Sequence, residues 1–266
     1  MAPAGVAVVF RYGTGEKGKG VEKGRRSLKQ PRGLHVCADG TLLVADFGNH
    51  CVLRFKSGAD VKGKVVAGEE GHCLPNVDLV KDIDRPLGAP EGEGFLMKHP
   101  CDVLEGPEGA LWVLDNDESR IQSFTKGGGA ATQVAPPPTG AVLKSNHAPE
   151  ALKNPRSACL APDGGIVICD TWGHRVLRYA PPGSPEAFEK PTVLAGTPNS
   201  AGPSLDKLMF PSCVAFGPDG ALYVSDTNNH RIQRWAPGSN EGSTVAGSAI
   251  CVSGSGLGEL NMPTGI

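Results

Sequence analysis

The sequence predicts an all-β protein, and three observations carry this prediction. The chain has 37 glycines and 23 prolines among its 266 residues, so it turns often and leaves little room for long helices. Hydrophobic residues make up 39% and charged residues 20%, a balance typical of a folded globular chain. Short apolar runs between turn signals also recur in four similar stretches.

Charge and cysteine usage narrow the class of protein. The formal net charge is −2, which does not favour a dedicated nucleic-acid binder, and no apolar run is long enough to predict a membrane-spanning helix. The eight cysteines include no Cys-x-x-Cys pair and no zinc-ligand spacing. We therefore predict a cytoplasmic protein with reduced cysteines and no metal or cofactor. A secreted form with disulfides is the alternative.

The four similar stretches align with one another without a gap. In each stretch an aspartate follows the first proline by 15 residues, and an aromatic residue follows that aspartate by nine. The four prolines are Pro31, Pro100, Pro155 and Pro211. The four aspartates are Asp46, Asp115, Asp170 and Asp226. A spacing kept four times indicates a repeated structural unit.

Each unit carries the signals of four short strands. The first strand follows the proline, and an Asp-Gly or Glu-Gly pair then turns the chain. The second strand is apolar on both faces, as in a sheet covered on both sides. A third strand ends at the aromatic residue, and a fourth follows a variable loop. Such sheets repeated around an axis form a β-propeller. The predicted blades span residues 31–68, 100–136, 155–196 and 211–247 of a single domain, 1–266.

Two further segments look like pieces of a blade. Residues 4–13 have the pattern of a fourth strand, and residues 260–266 repeat the start of a first strand. Together they supply only half the strands of a fifth blade. We therefore expect four full blades, a partial blade at each end, and a fragment of a larger propeller.

The pattern from Pro211 to Trp235 resembles the NHL repeat: Pro-Asp-Gly, then Leu-Tyr-Val, then Asp, then Asn-His-Arg-Ile-Gln-Arg and a final aromatic residue. The resemblance extends from about Val6 to Ile266 and implies a propeller that is typically six-bladed. The second blade departs from the pattern. The stretch Asn116-Asp117-Glu118-Ser119 replaces the Asn-His turn, and Ser123 replaces an arginine.

The resemblance also implies a function class. NHL propellers, for example at the end of tripartite-motif ubiquitin ligases, are protein- or RNA-binding platforms. We therefore expect a non-catalytic scaffold that binds a protein or peptide, or RNA, with no membrane and no small-molecule cofactor. Related six-bladed propellers are amidating lyases and lactonase-like hydrolases. The alternative is thus an enzyme whose channel site is completed by missing blades. Against it, Asp102 is the one carboxylate at the strand starts, and His35 stands alone on an inner strand, where we interpret it as packing.

Residues that recur from blade to blade are predicted to be structural. We expect the aspartates to accept backbone N–H bonds in the turn that follows each of them. We expect the histidines of that turn to support the turn and the packing between blades. The structural columns are Asp46, Asp115, Asp170 and Asp226, with His50, His174 and His230.

Residues unique to one blade are the predicted binding residues. They lie at the upper face, defined here as the end of the blades where the proline-led strands begin and where the turn after each aspartate lies. Arginine and aromatic side chains are enriched at the centres of protein interfaces. The candidates are Arg32, Phe47, Asp102, Arg156 and Trp172, and no catalytic residue is predicted.

Overall fold

The computed structural model describes residues 28–56, 63–68, 97–124, 132–135, 151–182, 184 and 190–266. These residues contain sixteen β-strands and no α-helix, and the only helical pieces among them are single 3₁₀ turns. None of their helices is long and apolar enough to cross a bilayer.

The strands form four antiparallel sheets of four consecutive strands each. Blade 1 contains β1 (Pro31–Val36), β2 (Leu42–Asp46), β3 (Cys51–Phe55) and β4 (Lys64–Ala67). Blade 2 contains β5 (Pro100–Glu105), β6 (Leu111–Asp115), β7 (Arg120–Phe124) and β8 (Thr132–Ala135). Blade 3 contains β9 (Ser157–Leu160), β10 (Ile166–Asp170), β11 (Arg175–Tyr179) and β12 (Thr192–Ala195). Blade 4 contains β13 (Cys213–Phe216), β14 (Leu222–Asp226), β15 (Arg231–Trp235) and β16 (Ser243–Gly247).

Consecutive blades pack face to face. One apolar cluster joins blades 1 and 2, a second joins blades 2 and 3, and a third joins blades 3 and 4. The second strand of a blade is buried on both faces, as Leu43 and Val44 show with exposures of 0% and 1%. That double burial is why this strand lacks an alternating polar pattern. The predicted fold class, an all-β propeller with four four-stranded blades, is confirmed.

A buried aspartate ends the second strand of every blade. One carboxylate oxygen accepts the backbone N–H of the residue 17 positions earlier, just before the blade's first strand. The donors are Lys29, Lys98, Lys153 and Met209, paired in order with Asp46, Asp115, Asp170 and Asp226. The sequence predicted that these carboxylates accept backbone N–H bonds from the turn that follows. This prediction is wrong, because the aspartate side chain makes no capping bond in the turns after Asp46, Asp170 and Asp226. The turn contributes side-chain donors instead, since Asn49 Nδ2 donates to Asp46 and Asn229 Nδ2 donates to Asp226.

The second oxygen of these aspartates is held by a side chain from the next turn or strand. Arg231 Nε donates to Asp226 at 2.8 Å, and both side chains are 0% exposed. Arg175 and Arg120 hold the aspartates of blades 3 and 2 in the same way. Burial raises the pKa of all four carboxyls, and their hydrogen-bond donors oppose that effect.

The histidines at the end of the turn connect each blade to the next segment of chain. All three have left-handed backbones, with φ of 54–56°. Nδ1 of each ring accepts the N–H of the residue that precedes a later proline, at 3.1–3.2 Å. The donor–acceptor pairs are His99 to His50, Phe210 to His174 and Met262 to His230. In blade 2, Ser119 takes this position, and its Oγ accepts the N–H of Asn154 at 3.1 Å.

The two segments predicted as partial blades differ in what the structure describes. Residues 4–13 lie outside the described residues. Residues 260–266 contain no strand. They nevertheless contact blade 4 in the same way that the first residues of each blade contact the preceding blade. The Pro263 carbonyl accepts a bond from Thr227 Oγ1 at 2.9 Å, and the Pro155 carbonyl accepts one from Asn116 Nδ2 at 2.7 Å.

We predict that Asp226→Asn destabilises the protein by about 3–5 kcal/mol, because it leaves the buried charge of Arg231 unpaired. Chemical denaturation measures the loss. The matched control is Asp219→Asn, which removes an ion pair with Arg234 in the same blade, where the side chains are 43% and 30% exposed. The control should leave the denaturation midpoint almost unchanged. Equal midpoints for the two variants would contradict this prediction.

We also predict that the His174 link weakens in acid. Burial, and then the nearby Lys153 charge, lower the pKa of His174 below its ordinary 6.5. Nδ1 of His174 must stay unprotonated to accept the N–H of Phe210. The stability from this link is therefore fully present above the pKa that His174 has in the unfolded chain. It is lost as the pH falls through the lower pKa that His174 has in the folded protein. The stability difference between the protein and His174→Asn should therefore shrink between about pH 7.5 and pH 5. Denaturation at both pH values measures it, with the exposed Lys190→Gln as a control. An unchanged difference would rule the link out as the pH-sensitive element.

Candidate functional site

A cavity of about 540 Å³ lies where the first strands of all four blades converge. Three of the five predicted binding residues, Arg32, Asp102 and Arg156, line it together. Ser212 and Cys213 of blade 4 also contribute to the wall. Each of these residues is at or just before the beginning of an inner strand, so the repeat itself brings them to one place.

Asp102 is held by backbone groups from two blades. Its Oδ2 accepts the N–H of Ala158 in blade 3 at 2.9 Å, and its Oδ1 accepts the N–H of Val103 at 2.9 Å. Burial raises its pKa to about 6, and these hydrogen bonds partly oppose that effect. Blade 1 also approaches closely, since a Cβ on Gly33 would lie 2.4 Å from Oδ1. Asp102 therefore joins three blades, and its carboxylate is not a free group on the rim.

Arg32 lies over an aromatic stack that crosses from blade 1 to blade 2. Its guanidinium carbon is 3.6 Å from the centroid of the Phe47 ring, a cation–π contact. Phe47 stacks in turn on His99, with the ring centroids 4.4 Å apart and the planes inclined by 21°. Phe47 therefore orients Arg32 and packs between blades, and its ring is only partly available to a ligand.

Two arginines at the cavity form no ion pair with any described residue. Arg32 and Arg156 are both exposed, and no carboxylate in the described part of the chain lies within ion-pair distance of either. Desolvation lowers the pKa of Arg32, and the charge of Arg156 lowers it further. Two like charges that interact across one concave surface create a positive potential that attracts an anion.

Two acidic residues of the upper face, Asp117 and Glu118, do have basic neighbours. His99 Nδ1 lies 2.5 Å from Asp117 Oδ2, and Lys98 Nζ lies 2.5 Å from Glu118 Oε1. Sequence reasoning missed Lys98 and His99, because both precede the repeat unit that starts at Pro100. Their position directly before a repeat proline is the signal that could have indicated them.

Trp172 stands apart from the cavity, on the rim between blades 3 and 4. Its side chain is 59% exposed, and it meets the edge of Phe210 at a centroid distance of 6.1 Å. Its backbone N–H donates to the carbonyl of Lys153, which fixes the turn that carries it. Of the predicted binding residues, Trp172 offers an exposed apolar surface on the upper face.

The cysteines in the described residues are all free thiols. They are Cys37, Cys51, Cys101, Cys159, Cys169, Cys213 and Cys251, while Cys73 lies outside the described residues. Most of them are buried or half-buried in the sheets, where a thiol packs as a small apolar group.

Comparison with known proteins gives a family for these repeats. The family described as NHL repeat matches residues 28–55, 152–179 and 208–235. These stretches fall on blades 1, 3 and 4. Blade 2, in which Ser119 takes the place of the turn histidine, lies outside them. Teneurin-m of Drosophila melanogaster is 27% identical over 226 residues, covering 74% of this chain. The chain spans only 8% of the length of that relative.

Solved structures with the same architecture share little sequence with this chain. An auxiliary nutrient binding protein from Bacteroides ovatus is 15% identical with a TM-score of 0.59, over 89% of this chain and 53% of that one. A chain of a nidogen–laminin complex is 14% identical with a TM-score of 0.56, over 90% and 68%. A gluconolactonase from Xanthomonas campestris is 14% identical with a TM-score of 0.53, over 80% and 61%. At such identities the likeness shows the fold alone. The chain is a β-propeller, and the repeats of its blades 1, 3 and 4 match the NHL-repeat family.

Proposed function

We propose that this propeller is a non-catalytic platform that binds an acidic segment of a partner protein at its upper face. The observation that carries the proposal is the pair Arg32 and Arg156, which share one cavity and have no carboxylate partner among the described residues. A guanidinium binds a carboxylate through two parallel hydrogen bonds, so the pair suits glutamate or aspartate side chains.

The surroundings of the pair support a protein ligand. Trp172 adds an exposed aromatic surface on the rim, and tryptophan and arginine dominate the energetic centres of protein interfaces. The cation–π contact with Phe47 holds Arg32 in place, which lowers the conformational entropy lost on binding. Phosphate groups would also attract two arginines, but an exposed platform of stacking aromatic side chains would be needed for single-stranded RNA. In the described residues, Trp172 is an exposed upper-face aromatic, but Phe47 and Phe210 are partly buried in contacts between blades, so they do not extend it into a stacking platform.

A channel enzyme receives less support from the same cavity. Its lining in the described residues includes one carboxylate, Asp102, and no histidine. Both oxygens of Asp102 are engaged by backbone N–H groups. General acid or base catalysis needs a group that can reach the substrate, and this carboxyl is committed to joining blades.

We predict that Arg32→Gln and Arg156→Gln each weaken binding of an acidic peptide by about 30-fold, the loss typical of a hot-spot residue. The probe is a fluorescent synthetic peptide of alternating glutamate and tyrosine, measured by anisotropy. Trp172→Ala should also weaken binding. The matched control is Arg178→Gln, because Arg178 lies on the third strand of blade 3 and pairs with Asp163 away from the cavity.

Melting curves for each variant separate lost binding from lost folding. The proposal would be overturned if Arg32→Gln and Arg156→Gln bind the peptide as tightly as the unchanged protein does. So would tighter binding of a single-stranded RNA oligonucleotide of the same net charge, because the ligand class would then be nucleic acid. Retained binding by Arg178→Gln is required for the effect to be assigned to the cavity.

A further inference from the structure

We propose that His35, Cys37 and Glu105 bind a Zn²⁺ ion between blades 1 and 2. The three side chains each offer one ligand atom, and these atoms all lie within 4.8 Å of one another. The cluster lies at the lower face, defined here as the end opposite the upper face, where the first strands finish. It is separate from the arginine cavity and independent of the proposed function.

Strand geometry brings the first two ligands together. His35 lies in β1 and Cys37 follows its end, two residues later, so both side chains project from the same face of the strand. Leu34 and Val36 point to the other face and are 65% and 68% exposed, whereas Cys37 is 3% exposed. The face with His35 and Cys37 is therefore the one that packs against blade 2.

Blade 2 supplies the third ligand from its own first strand. Glu105 ends β5, and its Oε2 accepts the backbone N–H of Ala38 at 3.4 Å. This contact already places the carboxylate beside the residue that follows Cys37.

The donor set fits zinc. Imidazole nitrogen, thiolate sulfur and carboxylate oxygen are the ligands of tetrahedral Zn²⁺ sites, with bonds of about 2.0–2.3 Å. Such bonds place ligand atoms about 3.3–3.8 Å apart. The three ligand atoms already lie within 4.8 Å of one another, so small side-chain rotations bring them to these distances. Binding replaces the thiol proton of Cys37, which is released to solvent. Three protein ligands leave the fourth position for water.

This arrangement would connect two blades through their inner strands. Two ligands belong to blade 1 and one to blade 2, so the ion would oppose separation of the two sheets. In this proposal His35, which the sequence analysis interprets as packing, has a role that depends on its partner in the next blade. No sequence spacing indicates this site, because Glu105 is 68 residues after Cys37.

The test uses the reduced protein with Co²⁺ as a spectroscopic substitute for Zn²⁺. We expect one Co²⁺ per chain, a thiolate-to-cobalt charge-transfer band, and displacement of Co²⁺ by Zn²⁺. Cys37→Ser should abolish the band, and His35→Gln and Glu105→Gln should each weaken metal binding by at least about tenfold. Zn²⁺ should also raise the melting temperature of the unchanged protein, and not that of Cys37→Ser.

The matched control is Cys213→Ser, which removes another inner-strand cysteine, one that lines the central cavity. The proposal requires this variant to keep the band. Loss of the band in Cys213→Ser but not in Cys37→Ser would overturn it, as would the absence of stoichiometric metal binding. If Cys37→Ser fails to fold, the metal affinity of Glu105→Gln provides the test instead. We expect this variant to fold, because Glu105 is half-buried and glutamine has the same shape. Unchanged affinity in that variant would also overturn the proposal.

Discussion

The buried carboxylate at the end of each second strand is the interaction on which every blade depends. Its two oxygens hold two different parts of the unit: the backbone just before the first strand, and a side chain from the following turn or third strand, as Met209 and Arg231 do for Asp226. A charge in this position is costly unless all its bonds are made, so the whole blade must assemble around it. This constraint explains why the aspartate recurs in every unit while the neighbouring loops vary in length and composition.

That interaction also fixes the chain just before each first strand, and this segment builds the upper face. The residue before each proline has a left-handed backbone, with φ of 52° at His99 and 47° at Phe210. In this conformation its N–H points at the previous blade and is accepted by His50 or His174. The same geometry carries the His99 ring over blade 1, where it contacts both Phe47 and His50 at centroid distances of 4.4 Å. His99 therefore both links blades 1 and 2 and supports the Phe47 ring on which Arg32 lies.

The two ends of the inner strands have different chemistry because different residues fill equivalent positions. At the upper end, Arg32 and Arg156 follow repeat prolines, and Lys98 and His99 contact the nearby Glu118 and Asp117. The two guanidinium groups that share the cavity favour an anion there. At the lower end, His35, Cys37 and Glu105 offer nitrogen, sulfur and oxygen ligands. The rigid sheets hold both sets in place, so small changes of sequence alter the ligand and leave the fold intact.

The sequence by itself determined the repeat, the strands, the propeller and the aspartate column, because all of these depend on spacing within a single unit. It also placed Arg32 and Arg156 on one face, since strand direction alone decides that. Only the tertiary structure decided which residues of different blades meet. It showed that the aspartates accept backbone N–H groups from the chain before the first strand and not from the turn, that His99 supports Phe47, and that Glu105 approaches Cys37. The physical reason is that contacts between blades depend on the rotation of one sheet against the next, which no spacing within a repeat records.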